Sequence, residues 1–417
     1  MKTHDLIFAS RPDSAITRRL LYDHRDLAFA PYGEYWRQLR SICVLQLLSA
    51  KWVQSFRRIR EEETRILLRK IEESSSGPEP NPIDLTMIMP SLTNDIVCRA
   101  AFGRKYGQGD SATRFKELLE EFVALLGYFN VADYIPWMGW VNYLTGLNTR
   151  VNRNFGAFDR FLDGVIDDHV AVGREKSDQG KREEQMDLVD VLLEIQGNNI
   201  GGVSLERESM KAVILDMFAA GTDTISTAID WIMAELLRHP NVMKNAQDEV
   251  RGIFPSKANI TEDNLGQLHY LKAIIKETLR LHPPLPLLVP RESTKQVTVH
   301  GYDIPAKTRV IINAWAIGRD PASWERPDEF WPERFLNSSI DFRGQDFELI
   351  PFGAGRRGCP GVTFAATIIE LVLASLMHKF DWALPAGARG EDLDLTEAPG
   401  ITIHRKSPLL VVATSCV

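Results

Sequence analysis

The hydrophobic pattern along the chain is helical almost throughout. KWVQSFRRIREEETRILLRKIEE (51–73) and FKELLEEFVALLGYF (115–129) place apolar residues at three- and four-residue steps, which predicts an amphipathic helix over each. Strand-like runs such as TRVIINAW (308–315) are confined mostly to the last third. The longest helical pattern is SLERESMKAVILDMFAAGTDTISTAIDWIMAELLRHP (204–240), with Ser204 placed to cap its start and His239-Pro240 to stop it. About 35 residues at 1.5 Å each make a rod of roughly 50 Å, enough to cross a whole domain. This segment is apolar nearly all round before AAGTDT, so it belongs in the protein centre. Two polar stretches, ESSSGPEPNP (73–82) and GREKSDQGKREEQMD (173–187), read as surface loops, because their Pro, Gly and charge cannot build a core. The pattern predicts a mainly α fold with small β-sheets and no internal repeat.

Composition narrows the function classes. With 417 residues, 44% hydrophobic and 25% charged, the chain is an ordinary globular one with ample length for a large core. Its net charge of -7, and the absence of any basic tract interleaved with aromatics, exclude a general nucleic-acid binder. Cys43, Cys98, Cys359 and Cys416 are widely scattered, with no C-x-x-C pair and no zinc-like spacing to His, which argues against a disulfide scaffold. The amino terminus, MKTHDLIFASRPDSAITRRLL, has no apolar run of signal-peptide or membrane-span length, and no later exposed segment has one. Taken literally, the chain is expected to be soluble.

Four stretches carry candidate chemistry. Gly221, Thr222, Asp223 and Thr224 follow one another in the buried helix, where a glycine costs helix stability and an unpaired carboxylate costs more. Gly221 would let a flat ligand approach the backbone, the Thr224 hydroxyl can bond back to the Ala220 carbonyl, and a hydroxyl beside an acid can pass protons; a helix kink with a capped acid is the alternative. In KETLRLHPP, Glu277 and Arg280 share a helix face. Arg334 in WERPDEFWPERF offers a second guanidinium that could close a buried Glu-Arg-Arg network, although most such pairs are weak surface contacts. In YGEYWRQLR, Trp36 and Arg40 stack on one face and suit an anionic group such as a carboxylate; a Trp packed on an Arg stem is the bland alternative.

The fourth stretch is PFGAGRRGCPG (351–361), in which GAGRRG satisfies G-x-G-x-x-G and Asp381 lies about twenty residues on, as in a dinucleotide-binding turn. Such a turn needs a strand before the first glycine and βαβ alternation around it, but Pro351 interrupts any strand and the chain reads as helix after helix. Cys359 followed by Pro360 predicts a helix beginning immediately after the cysteine, where free backbone N–H groups and the helix dipole favour a thiolate that can bind a metal.

FGAGRRGCPG resembles F-x-x-G-x-R-x-C-x-G, the haem-thiolate signature of cytochrome P450 monooxygenases. AGTDT, KETLR, PERF and WRQLR resemble that family's other motifs and fall in its order, so the resemblance covers essentially the whole chain. The wording of PFGAGRRGCPG and AFAPYGEYWRQLRSIC is similar to the large plant group of microsomal members acting in specialised metabolism. The resemblance implies the cytochrome P450 fold as a single haem domain over 1–417, binding haem b (iron protoporphyrin IX). Against that resemblance the chain reads as amino-terminally truncated, missing the anchor, hinge and first strands usual in the family. Cys359 would be the axial iron ligand, its thiolate favouring O–O cleavage, with Phe352 beside it on the proximal face and Gly355 shaping the loop. Trp36, Arg40, Arg291 and Arg357 would meet the haem propionates, Gly221 would make room for the ring, and Asp223 and Thr224 would relay protons to dioxygen. Ile225 stands where the family often has Thr or Ser, so a supporting hydroxyl is missing unless Ser226 substitutes. Glu277, Arg280 and Arg334 would be structural.

The implied reaction is insertion of one atom of O2 into a small lipophilic substrate. The expected walls are Ile214 to Ala220, Leu285, Leu287, Leu288, Val289 and Ile401, with the turn at Pro399 to Thr402 and the loop before Trp36. Electrons would come from an NADPH–cytochrome P450 reductase at the endoplasmic reticulum membrane, docking on the cysteine side near Arg356, Arg57 and Arg58. A haem-thiolate isomerase or dehydratase and a non-catalytic or inactive haem-binding fragment are the alternatives.

Overall fold

The apolar stripe of 51–73 folds as two helices, Ala50–Ser55 and Arg57–Ser75, interrupted at Phe56. Phe56 is buried, and the helix after the interruption carries Leu67 and Ile71 into the core. The structure is a computed structural model describing residues 2–75, 81–105, 110–178, 186–198, 205–254 and 260–416. The chain divides into two compact units, 1–55 with 97–220 and 289–311, and 56–96 with 221–288 and 312–417.

The first unit is built on the helices Glu34–Ile42, Asp110–Leu126 and Leu147–Asp178. Phe115, Phe158, Phe161 and Phe218 interlock there, with ring centroids 4.9 to 6.1 Å apart for the pairs that Phe115 makes. Edge-on and tilted geometry of this kind adds to the burial of large rings. Its strands are short: Arg291–Glu292 pairs antiparallel with Arg309–Val310, and Val297–Val299 with Tyr302–Ile304. The predicted strand 308–315 is therefore only two residues long. The Asn313 side chain instead accepts from the Ala316 N–H and caps a short helix, Ala314–Ile317.

The second unit holds one large apolar core contributed by the helices Arg57–Ser75, Pro240–Ile253, His269–Leu281 and Val362–Lys379. It also takes in the Gly221-to-Arg238 half of the long central helix. Ile229, Ile232, Ile274 and Leu373 are fully buried within it. A three-stranded antiparallel sheet closes one side, with Leu410–Ser415 between Ile83–Asp84 and Phe380–Ala383. The central helix runs Arg207–Arg238, so its observed start lies three residues after the predicted cap; Ser204 is outside the described residues. Like Val362–Lys379, it is long and apolar enough to cross a membrane by length and composition, yet 67% of the apolar window of each is buried inside the protein. Burial of that extent makes both of them core helices.

Candidate active site

No strand leads into GAGRRG: residues 341–352 are turns and extended links. Asp381 lies in the strand Phe380–Ala383 and pairs with Arg251 at 2.9 Å, so neither half of a dinucleotide site is present in 351–381. The loop reverses direction at Gly353 and Gly355, with φ of +69° and +67°, a left-handed backbone that a side chain would strain. The Cys359 N–H then donates to the Phe352 carbonyl at 2.9 Å and closes the turn.

This bond holds Cys359 and Pro360 out of the helix. Gly361 is the cap of Val362–Lys379, so Pro360 precedes the cap and is not the first helical residue that the sequence pattern predicts. The Cys359 thiol is nonetheless exposed next to the helix start, and its Sγ would stand 3.8 Å from a Cβ placed on Gly361. Phe352 is half-buried and packs on Phe342 at 5.4 Å, Arg357 is buried, and Gly355 and Arg356 are exposed. None of the four cysteines is in a disulfide.

The central helix stays α-helical through Gly221–Thr224. Hydroxyl groups crowd its carbonyls. Ser226 donates to the Thr222 and Asp223 carbonyls at 3.1 and 2.9 Å, Thr227 to the Asp223 carbonyl at 2.8 Å, and Thr93 of the neighbouring helix to the Thr222 carbonyl at 3.0 Å. Ile225 is in the apolar core and Ser226 is committed to backbone, so neither sits where a support for Thr224 is expected. The helix is buried around Thr224, but Ala220 is exposed and Gly221, Asp223 and Thr224 are only half-buried, which leaves one open stripe on it. Asp223 Oδ1 is 3.2 Å from His404 Nε2, whereas its Oδ2 and the Thr222 hydroxyl are buried with no hydrogen-bond partner in the protein. Buried polar atoms left in this state mark a place for a ligand or an ordered water.

Glu277 is fully buried and saturated. It takes a bidentate pair from Arg280 at 2.7 and 2.8 Å, a third bond from Arg334 at 3.1 Å and a fourth from the Trp331 N–H at 2.7 Å. The Arg280 guanidinium also donates to the Gly318 and Pro327 carbonyls, both at 2.6 Å. The predicted Glu-Arg-Arg network is therefore real, and it bolts the helix His269–Leu281 to the segment carrying PERF.

Of the remaining cations, Arg40 and Arg291 lie in the first unit and Arg57 and Arg58 in the second. Arg40 stacks on Trp36 with its guanidinium 5.5 Å from the ring. The Trp36 indole N–H, expected to face an anionic ligand, donates to the Leu27 carbonyl at 2.9 Å, so the ring serves to support Arg40. Arg291 is 2% exposed, with Asp5 at 3.5 Å, and burial pulls its guanidinium below its ordinary range against that carboxylate. Of the expected docking arginines, Arg57 is engaged by Glu61 and Asp263, while Arg58 is 80% exposed with a loose contact to Glu62 at 3.5 Å. Leu287 of the expected substrate wall is exposed and Leu288 adopts φ 51°, a strained backbone for a leucine.

His169, Asp187 and Asp190 also come within metal-holding distance of one another. Asp187 and Asp190, however, accept each other's backbone N–H at 3.0 and 3.2 Å, a reciprocal cap for the helix Leu188–Asn198, and His169 donates into that cap. These three residues are a helix terminus, already satisfied.

His404 is the functional candidate that the sequence pattern missed. It lies in a two-residue strand far along the chain from Asp223, and the one hint was a hydroxyl, Thr227, one helical turn from the acid.

The donor set fits haem: a soft exposed sulfur at a helix start for iron, guanidiniums for carboxylates, and a small-residue stripe beside an acid and an alcohol. A helix-rich protein with this equipment is a haem-thiolate oxidoreductase by class. The family model for cytochrome P450 matches residues 1–412. The chain is 55% identical to cytochrome P450 71A1 of Persea americana over 99% of its own length and 82% of that protein. It is 50% identical to norfluorocurarine oxidase of a Strychnos species, over 99% and 81% of the two chains. A zebrafish cytochrome P450 solved with progesterone superposes with a TM-score of 0.80 at 24% identity, over 98% of this chain and 89% of that one. The chain belongs to the cytochrome P450 family; it is a P450 monooxygenase with the mainly α fold of that family, and its cofactor is haem b.

Proposed function

We propose that residues 1–417 act as one haem domain that oxygenates a small lipophilic molecule, with Cys359 as the iron ligand and Asp223 and Thr224 as the proton relay. Haem, when bound, supplies the iron at which dioxygen is reduced and split. Cys359 would hold it from a loop that turns at Gly353 and Gly355 and is closed by the bond from the Cys359 N–H to the Phe352 carbonyl, with the Phe352 ring expected beside the sulfur. By the family's motifs, Arg40, whose guanidinium stacks on Trp36, Arg291 and Arg357 would each serve to neutralise propionate charge. Gly221 would leave room for the flat ring, and by the family's pattern the apolar residues Leu285, Leu288, Val289 and Ile401 would bind and orient the substrate while excluding water.

The observation that carries this reading is the Asp223 carboxylate. An isomerase or dehydratase takes no external electrons and delivers no protons to dioxygen, so it has no use for an acid with a partnerless buried oxygen on the open stripe of a core helix.

Electrons are supplied by NADPH–cytochrome P450 reductase, for which Arg356 and Arg58 are the accessible cations. The site of action is the endoplasmic reticulum membrane. In support, Phe129, Trp137, Trp140, Tyr143 and Leu144 are exposed within one short run, each more than half accessible, and aromatic side chains of this kind partition to a lipid interface.

The test incubates the purified protein with reductase, NADPH and isotopically labelled dioxygen over a panel of lipophilic probes. Labelled oxygen in a product, formed only when NADPH is present, is the expected result. Turnover without NADPH would replace this reading with the isomerase one, and haem binding with no turnover at all would favour the inactive fragment.

A further inference from the structure

We propose that His404 is the positioning residue of the proton relay: its Nε2–H holds the Asp223 carboxylate, and its ring connects that carboxylate to protons in solvent. The proposal rests on the reading above, in which Asp223 moves protons.

Asp223, Thr227, Asp230 and Trp231 lie at helical spacing on one face of the central helix, and that face grips three consecutive residues of the segment 403–405. The Trp231 indole donates to the Ile403 carbonyl at 2.9 Å. Arg405 donates to Asp230 at 2.8 Å in a buried pair. Between these two anchors, His404 meets Thr227 through Nδ1 at 3.0 Å and Asp223 through Nε2 at 3.2 Å. The Ile403 N–H is tied in addition to the Pro284 carbonyl at 2.9 Å. The ring position is thus set by its neighbours and does not depend on the contact with Asp223.

The partner at Nδ1 makes the arrangement able to pass a proton. The Thr227 hydroxyl can donate to the Asp223 carbonyl while accepting from a protonated Nδ1, or turn and donate to a bare Nδ1. A ring protonated on both nitrogens can give its Nε2 hydrogen to the Asp223 carboxylate, keep its Nδ1 hydrogen on Thr227, and then regain a proton from solvent at Nε2. The side-chain exposures fit that direction of flow, with His404 at 41% and Asp223 at 20%. Asp223 faces the ring, and Asp230 and Arg405, on the same helix face and the same strand, are paired with each other. Asp223 Oδ2, buried and without a protein partner, is the oxygen left to hand the proton on.

The reaction provides a readout that needs no identified substrate. In its absence, dioxygen takes two electrons and two protons to become hydrogen peroxide, or four of each to become two waters, and NADPH supplies the electrons through the reductase. Only the second route requires repeated proton delivery to the outer oxygen.

The experiment measures hydrogen peroxide formed and dioxygen consumed per NADPH for the wild type, His404→Phe and His404→Gln. The glutamine can still donate one N–H to Asp223 but cannot exchange a proton. Expected is an increase of about threefold or more in peroxide per NADPH in both variants, and a changed solvent isotope effect in His404→Gln. Wild-type stoichiometry and isotope effect in both variants would overturn the proposal, and full rescue by glutamine would overturn the proton-supply part by reducing His404 to a strut.

A second readout does not involve turnover. In histidine-labelled, reduced, carbon-monoxide-bound protein, the His404 Nε2–H resonance should move when Asp223→Ala is introduced; an unmoved resonance would overturn the contact itself. A wild type that takes up labelled haem ligand normally but never oxidises NADPH would instead defeat the monooxygenase reading, and the role of His404 with it.

Discussion

Glu277 and Asp223 are two carboxylates on helices of the same unit, each beside a basic side chain, and they are built for opposite purposes. Glu277 is fully buried and receives four hydrogen bonds, with both oxygens occupied. Asp223 is partly open, has one loose ionic contact, and keeps its second oxygen buried and unused. A saturated carboxylate in a dry site cannot change its proton without breaking the structure around it. An under-satisfied one beside an exposed imidazole can. Saturation, more than burial or the presence of a charge, separates the strut from the working group here.

Removing the strut should have the largest consequence. Glu277→Gln leaves two buried guanidiniums short of their counter-charge and is expected to cost about 3–5 kcal/mol, seen as a large fall in Tm and poor haem uptake. If it unfolds no more readily than Asp223→Asn, the contrast between the two acids fails. Gly318→Ala attacks the same strut by volume, because a Cβ there would lie 2.4 Å from the Arg280 carbonyl. Overpacking of that kind costs about 1–3 kcal/mol, again read from Tm.

Asp223→Asn should do the reverse, leaving stability within about 1 kcal/mol of wild type because the His404 contact is half-exposed. Its NADPH-dependent turnover should fall about a hundredfold, the lower end of what a positioned proton donor contributes. An unchanged rate would assign Asp223 to the scaffold.

The smallest expected effect concerns Glu235. Burial pushes its carboxyl up, but hydrogen bonds from His239 and His282 outweigh burial and bring it down to about 2 from the ordinary 4.5. A depressed folded value means that its contribution is complete above pH 4.5 and is lost as pH falls from there through about 2. Acid unfolding of Glu235→Gln should be correspondingly shallower across that window.

The strut was legible in the chain and the working site only in part. Glu277 and Arg280 are one helical turn apart, so their pairing follows from the 3.6-residue period, and Arg334 was marked by the PERF turn. Helix positions were legible for the same reason, since apolar residues at three- and four-residue steps must face a core. The loop around Cys359 was readable as far as its glycines, but the bond from the Cys359 N–H to the Phe352 carbonyl, which holds Pro360 out of the helix, is a backbone contact that no residue type announces. Asn313 turned a strand-like run into a capped helix by a local side-chain bond that outweighed β-propensity. His404 was invisible because its partners lie on a helix far away in sequence, and neither spacing nor composition encodes a contact between a two-residue strand and a helix face.

The most direct test of the account is the absorption spectrum of the reduced, carbon-monoxide-bound protein, taken for the wild type and Cys359→Ser. A Soret band shifted to the red in the manner of thiolate ligation, present in the wild type and lost in the variant, is predicted. A thiolate-type band that survives Cys359→Ser, or haem bound in the wild type without that band, would contradict the assignment of Cys359 as the iron ligand.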